Sequence, residues 1–297
     1  MIVVTTPTGN IGRQVVSWLI AAGAHVRVIA RDPSKLPKGP RGRFELVEGA
    51  HDDAATLARA LEGAKSLFWL PPGDMTLPSP EAAYVDFARP LLGALQDHPS
   101  MRVVGVSALG RGWPKQAGHV TATLKADDLI SETGVPYRAL CCGSLMENIL
   151  RQRDMIAEKG VFFWPSPSEL KLPYVATRDV AAVAARLLLD ETWTGHEELQ
   201  MPGPEDLSFD QMAQIMSDTL QKPVSFQEIG MEDMRGMLIA NGASAGMARS
   251  MIQMLTAKNA GLDHMAPRAF AAETPTTFRE WCRIVLEPAI VAAEGRP

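Results

Sequence analysis

Cysteine is scarce: Cys141, Cys142 and Cys282 are the only three in 297 residues, with no metal-ligand spacing among them. This argues against a disulfide-stapled scaffold and a cysteine metal centre, and no metal site is expected; a reducing, cytoplasmic setting is. Long apolar runs are also missing. No stretch approaches the roughly 18 apolar residues that span a bilayer, and no basic segment precedes the apolar N-terminus, so neither a membrane nor a secretory signal is expected. Positive charge is not in excess, with 29 Lys and Arg against 34 Asp and Glu for a net charge of −5. Without a dense basic stripe, nucleic acid is not an expected partner. Neither an internal repeat nor a low-complexity linker divides the chain.

What is present begins four residues into the chain. Thr5-Thr6-Pro7-Thr8-Gly9-Asn10-Ile11-Gly12 lies between an apolar β-branched run, Met1 to Thr5, and a segment where Ile11, Val15, Val16, Leu19 and Ile20 recur at helical spacing. Gly23 stands where a helix ends. A strand, a glycine turn and a helix in this order form a phosphate-binding turn. Gly9 lets the backbone approach a diphosphate, Gly12 allows close helix–strand packing, and the first helical N–H groups face the anion. Thr6 stands where the first glycine of the usual pattern would be, which predicts a less tightly wound turn. Thr6, Thr8, Gly9, Asn10, Ile11 and Gly12 are therefore the expected cofactor contacts.

The second strand, Val26 to Ala30, is followed by Arg31. A carboxylate there would hold the ribose hydroxyls of NAD, whereas a guanidinium pairs with the extra phosphate of NADP. Asp32 competes for the acidic role, but Asp32-Pro33 also fits a helix start. NADP is expected, with NADPH preferred over NADH.

Strands and helices then alternate: a third strand at Phe44 to Gly49, a helix at Ala54 to Leu61 and a fourth strand at Ser66 to Leu70. A helix from about Pro80 to Leu95, a fifth strand at Met101 to Val106, a helix from about His119 to Thr133 and a sixth strand at Tyr137 to Cys141 follow. The pattern predicts an α/β fold, a doubly wound parallel sheet. Ligands of such sheets bind beyond the carboxyl ends of the strands, so Arg31, Leu70, Pro71, Ser107, Cys142 and Gly143 join the turn as expected cofactor neighbours. Further on, Ser208 with Gln211 and Thr277 with Glu280 fit capping boxes. Methionines 231, 234, 237, 247, 251 and 254 are expected mostly in the core, a minority lining a substrate pocket.

TTPTGNIG, VRVIARDPSKL, GAHDDAATLARALEGAKSLFWL, TGVPYRALCCGSLMEN, YVATRDVAAVAARLLL and MPGPEDLSFDQMAQIMSDTLQKPVSF together resemble the NmrA-like group of atypical short-chain dehydrogenases over nearly the whole chain. The group includes NADPH-dependent quinone, azo-dye and triphenylmethane-dye reductases and non-catalytic proteins that sense the dinucleotide. The resemblance implies a Rossmann domain, 1–143 with 173–200, and a smaller, partly helical substrate domain, 144–172 with 201–297.

Departures from the family bear on chemistry. Ala50 stands where the family usually has an Asp near the adenine. Thr121, not the tyrosine of ordinary short-chain dehydrogenases, stands four residues before Lys125, and Tyr84, Tyr137 and Tyr174 have no lysine at that spacing. A threonine hydroxyl is too weak an acid for ketone reduction. Conjugated acceptors such as quinones and azo compounds stabilise the developing anion themselves, so orientation over a nicotinamide suffices. Lys125 is the candidate for the nicotinamide ribose, His119 for a proton donor, and Ser107 for the short-chain dehydrogenase serine. Glu147 and Asn148 match the family's pair beside the substrate. The adjacent cysteines are given no chemistry. Two readings stand: an NADPH-dependent reductase of a small conjugated acceptor, and an NADP-binding redox sensor acting through a protein partner. The oligomeric state stays open, a homodimer included.

Overall fold

The computed structural model describes residues 1–36, 44–265 and 273–294. The chain runs β1 (Ile2–Val4), α1 (Gly12–Ala21), β2 (Val26–Ala30), β3 (Phe44–Glu48), α2 (Ala54–Leu61), β4 (Ser66–Trp69), α3 (Phe87–Gln96), β5 (Arg102–Ala108), α4 (His119–Glu132) and β6 (Tyr137–Cys142). Then come β7 (Ser144–Leu145), α5 (Arg153–Lys159), β8 (Val161–Trp164), β9 (Leu172–Val175), α6 (Thr177–Leu189), β10 (His196–Met201), β11 (Asp206–Leu207) and α7 (Phe209–Leu220). The last elements are β12 (Ser225–Glu228), α8 (Met231–Ala240), α9 (Ala245–Asn259), α10 (Phe278–Trp281) and α11 (Glu287–Glu294).

Seven strands form one sheet in the order β10-β6-β5-β4-β1-β2-β3. Neighbours from β3 through β5 run parallel. Chain progression reverses between β1 and β4, the switch point at which sheets of this class open a ligand crevice. Helices cover both faces, so the central strands read as continuous apolar runs: Val3, Val4, Leu67 and Phe68 are fully buried. Each such side chain contributes roughly 1.5 to 3 kcal/mol of burial. The doubly wound α/β fold expected from the alternation is thus the fold observed.

Two compact units form. The first comprises 1–108, 120–141 and 180–199; the second comprises 109–119, 142–179 and 200–297. Residues 109–119, 142–143, 173–179 and 200 therefore group with the second unit, whereas the family resemblance implied the first. In the second unit, β11-β9-β7 and β12-β8 form small sheets. Its core gathers Phe162, Phe209, Phe278 and Trp281 with Met212 and Met216.

Helix expected at 80–95 is a π-helical turn, Glu81–Asp86, leading into α3. Pro90 lies inside α3; it has no N–H for the carbonyl of Asp86 and its ring crowds that oxygen, which matches where the wide turn ends.

Candidate functional site

The glycine turn sits at the switch point. Thr5, the first residue past β1, ties β1 to β4: its N–H donates to the Phe68 carbonyl at 3.2 Å, its Oγ1 donates to the same oxygen at 3.0 Å, and the Leu70 N–H donates to Oγ1 at 3.0 Å. Leu70 is thereby held beside the turn. Thr5 was not singled out from the sequence, although a lone buried hydroxyl ending an apolar strand was the available signal.

Thr6 follows in the left-handed region, φ 47°, and its carbonyl accepts the Gly9 N–H at 3.0 Å. Thr6 thus takes up the left-handed conformation that glycine adopts most readily, and the Thr6–Gly9 hydrogen bond closes the turn. Threonine carries the strain of that conformation, on the order of 1 to 3 kcal/mol, and its buried Oγ1 finds no hydrogen-bond partner. Gly12 is required by close approach: a Cβ there would lie 2.1 Å from the Thr6 carbonyl oxygen. A Cβ at Gly9 would lie 3.4 Å from the same atom, so the fold itself does not demand glycine at that position.

Helix α1 begins without a side-chain cap at Ile11 and without an acidic residue in its first turn. By contrast Asp53, Ser208, Ser244 and Thr277 cap α2, α7, α9 and α10. Arg13, Gln14 and Val15 N–H groups bond to Gly9 and Ile11 carbonyls, whereas those of Asn10, Ile11 and Gly12 make no bond among the described residues. Free donors and the positive end of the helix dipole suit an anion. The site therefore fits a dinucleotide diphosphate.

Arg31 is exposed just past β2, with no hydrogen bond or ion pair among the described residues. Asp32 is committed elsewhere. Its Oδ1 accepts the Ser34 N–H at 3.0 Å and the Ser34 hydroxyl at 2.6 Å, bonds that hold its carboxyl below the usual range. Nearby, His51 is buried between Trp69 and Phe87, with ring centroids 5.3 and 4.9 Å away. Its Nε2 stands 3.2 Å from the Leu70 carbonyl, and burial pushes its pKa down to about 4.

Other expected residues have structural occupations. Ser107 is buried in β5 and donates to Asp127, which also accepts the hydroxyl of fully buried Tyr137. Gly105 leaves room for that phenol: a Cβ would lie 2.4 Å from its oxygen. His119 is buried in the second unit with Nδ1 3.1 Å from the Ser250 hydroxyl, and burial lowers its pKa to about 4. It is neutral at pH 7, so the imidazolium donor expected from an ordinary histidine is not available there. Glu147 accepts the Thr177 N–H at 3.0 Å, the Thr177 hydroxyl at 2.7 Å and the Trp281 indole N–H at 3.1 Å. That carboxylate anchors the start of α6, with its oxygens occupied by protein donors. Gly143 accommodates the Pro173 carbonyl, 2.8 Å from where a Cβ would stand. Cys142, at the end of β6, is buried with its pKa pushed up to about 12, consistent with giving the cysteines no chemistry. Lys125 is exposed on α4 and Asn148 is half-buried; neither has a partner among the described residues.

Of the singled-out methionines, Met234 and Met247 are buried and Met237 is exposed. The Ser208–Gln211 capping box is complete, while Thr277 caps the Glu280 N–H alone. Among the described residues no group of His, Cys, Asp and Glu could hold a metal ion, and no helix is long and apolar enough to cross a membrane.

Comparison with known proteins places these features. Residues 7–191 match a family model described as NAD(P)H-binding, and residues 122–282 match that of the NmrA-like family. The chain is similar to a (4-alkanoyl-5-oxo-2,5-dihydrofuran-3-yl)methyl phosphate reductase of Streptomyces griseus, 32% identical over 81% of each chain. It is also similar to an NAD(P)H azoreductase of Xenophilus azovorans, 28% identical over 86% of each. In fold it resembles the NADPH complex of an Escherichia coli quinone oxidoreductase, with TM-score 0.77, 19% identity, and coverage of 99% of this chain and 100% of that one. A helix start left open to an anion at the switch point of a doubly wound sheet is what an NAD(P)H-binding protein requires, and the chain belongs to the NmrA-like family.

Proposed function

We propose that this protein binds NADPH in preference to NADH and reduces a small conjugated acceptor, such as a quinone, an azo compound or an unsaturated carbonyl. The observation that carries the reading is the uncapped start of α1, with the Asn10, Ile11 and Gly12 N–H groups open to a diphosphate. Arg31 offers a free guanidinium to the phosphate that distinguishes NADP, while Asp32 is turned to Ser34. Lys125 and Asn148 remain for the nicotinamide ribose and the acceptor. Ser107, His119 and Glu147 act as supports.

Bound NADPH supplies the hydride. The protein's own acids explain the choice of acceptor: burial raises the pKa of all three tyrosines, Tyr84, Tyr137 and Tyr174, so none is an ionisable acid near neutral pH. A conjugated acceptor spreads the developing charge and takes its proton from water. The relatives' names agree, one carrying a dihydrofuranone with an alkanoyl substituent and the other an azo bond.

Anaerobic loss of absorbance at 340 nm with 1,4-naphthoquinone tests the proposal. Acceptor-dependent oxidation with a higher kcat/KM for NADPH than for NADH is expected. Tight NADPH binding with no oxidation across a quinone and azo panel would overturn it in favour of a sensor.

A further inference from the structure

The second unit contains a cavity of about 520 Å³ walled by the 109–118 loop, α8 and α9. Trp113 and Ile252 supply apolar surface; Lys115, Arg235 and Arg249 supply three cations, and Glu232 one carboxylate. The carboxylate is spent on its neighbour, with Arg235 2.8 Å from Glu232. Lys115 and Arg249 have no ion-pair or hydrogen-bond partner among the described residues. Two uncompensated positive charges thus face one cavity in a chain whose net charge is −5. Cations facing a common space repel each other, and an anion between them converts that cost into attraction.

The wall is also locked in place. A Cβ at Gly118 would lie 1.9 Å from the Ser250 carbonyl oxygen, and one at Gly110 2.8 Å from the Leu262 side chain. His119 Nδ1 stands 3.1 Å from the Ser250 hydroxyl. Ser250 follows Arg249 in α9, so the loop bearing Trp113 and Lys115 is pinned to the helix bearing the second cation. Preorganisation of this kind lowers the ordering cost of binding.

We infer that this cavity binds a flat organic anion, its ring against Trp113 and Ile252 and its sulfonate, carboxylate or phosphate between Lys115 and Arg249.

Calorimetry with 1-naphthalenesulfonate, 1-naphthoate and 1-naphthyl phosphate tests the site without turnover, and their ranking separates singly charged groups from the phosphate. The K115Q/R249Q double variant is expected to weaken binding of the sulfonate about tenfold or more, the scale of one lost charge-assisted hydrogen bond. Absence of binding to the native protein, or equal binding to the variant, would overturn the site.

Discussion

Gly9 and Gly12 look interchangeable in the sequence, yet alanine at each should fail in a different way. At Gly12 the added Cβ would lie 2.1 Å from the Thr6 carbonyl oxygen and 2.8 Å from its carbon. Carbon and oxygen ordinarily approach no closer than about 3.3 Å, so backbone of the turn must retreat by roughly 1 Å. Overpacking of a fixed backbone costs about 3 kcal/mol, which lowers Tm by about 6 to 12 °C for a protein near this size. At Gly9 the Cβ meets Thr6 at 3.4 and 3.9 Å, ordinary contact, with no positive φ. Gly9→Ala should therefore melt within a degree or two of the native protein, or slightly higher as the unfolded chain loses freedom. Its NADPH affinity should nevertheless fall about 10- to 100-fold, one or two charge-assisted hydrogen bonds, because the methyl occupies the approach of the diphosphate. Thermal melts paired with calorimetric NADPH titration read both quantities. A Gly9→Ala protein that binds NADPH as tightly as the native one would refute the reasoning.

The other predictions concern charge and support. Arg31→Ala should narrow the affinity gap between NADPH and NADH by about 1 to 2 kcal/mol in a fluorescence titration; equal native affinities would remove Arg31 from the site. Glu147→Ala orphans the Thr177 N–H and hydroxyl and the Trp281 N–H, so it should cost about 3 kcal/mol or more in a urea melt; a selective rise in acceptor KM at unchanged stability would restore the substrate role first expected for it. His51 and His119 have native pKa values lowered to about 4 from 6.5. Such a base stabilises the fold fully above pH 6.5, and the contribution is lost as pH falls towards the native pKa, by up to about 3 kcal/mol for each histidine. Urea midpoints should therefore drop between pH 6.5 and 4, less steeply in His119→Gln. Asp179, whose carboxyl burial raises its pKa, opposes the trend, and a midpoint flat across this window would contradict it.

Local signals carried much of the fold. The β2 and α2 bounds, the Ser208 box and the order of strands and helices are written in neighbouring residues, where apolar periodicity and capping act. Asp32 illustrates how far this reaches, since its hydrogen-bond partners lie two residues away in Ser34 and its ion-pair partner three away in Lys35. Roles set by distant contacts were hidden. Thr5 bonds across 63 residues to Phe68, Glu147 meets Trp281 134 residues on, and His119 meets Ser250 131 residues on. Each looked like a free polar side chain until the fold supplied its partner. The Thr6 conformation was hidden for another reason: residue type gives only a preference for backbone geometry, and threonine here sits in the left-handed region that glycine favours. The 109–118 loop likewise meets neighbours far along the chain, among them Ser250 of α9 beside Gly118 and Leu262 beside Gly110.

A crystal structure of the NADPH complex tests the central claim most directly. The account predicts diphosphate oxygens within about 3 Å of the Asn10, Ile11 and Gly12 N–H groups, with the adenosine 2′-phosphate against Arg31. Diphosphate density anywhere other than the open end of α1 would contradict it.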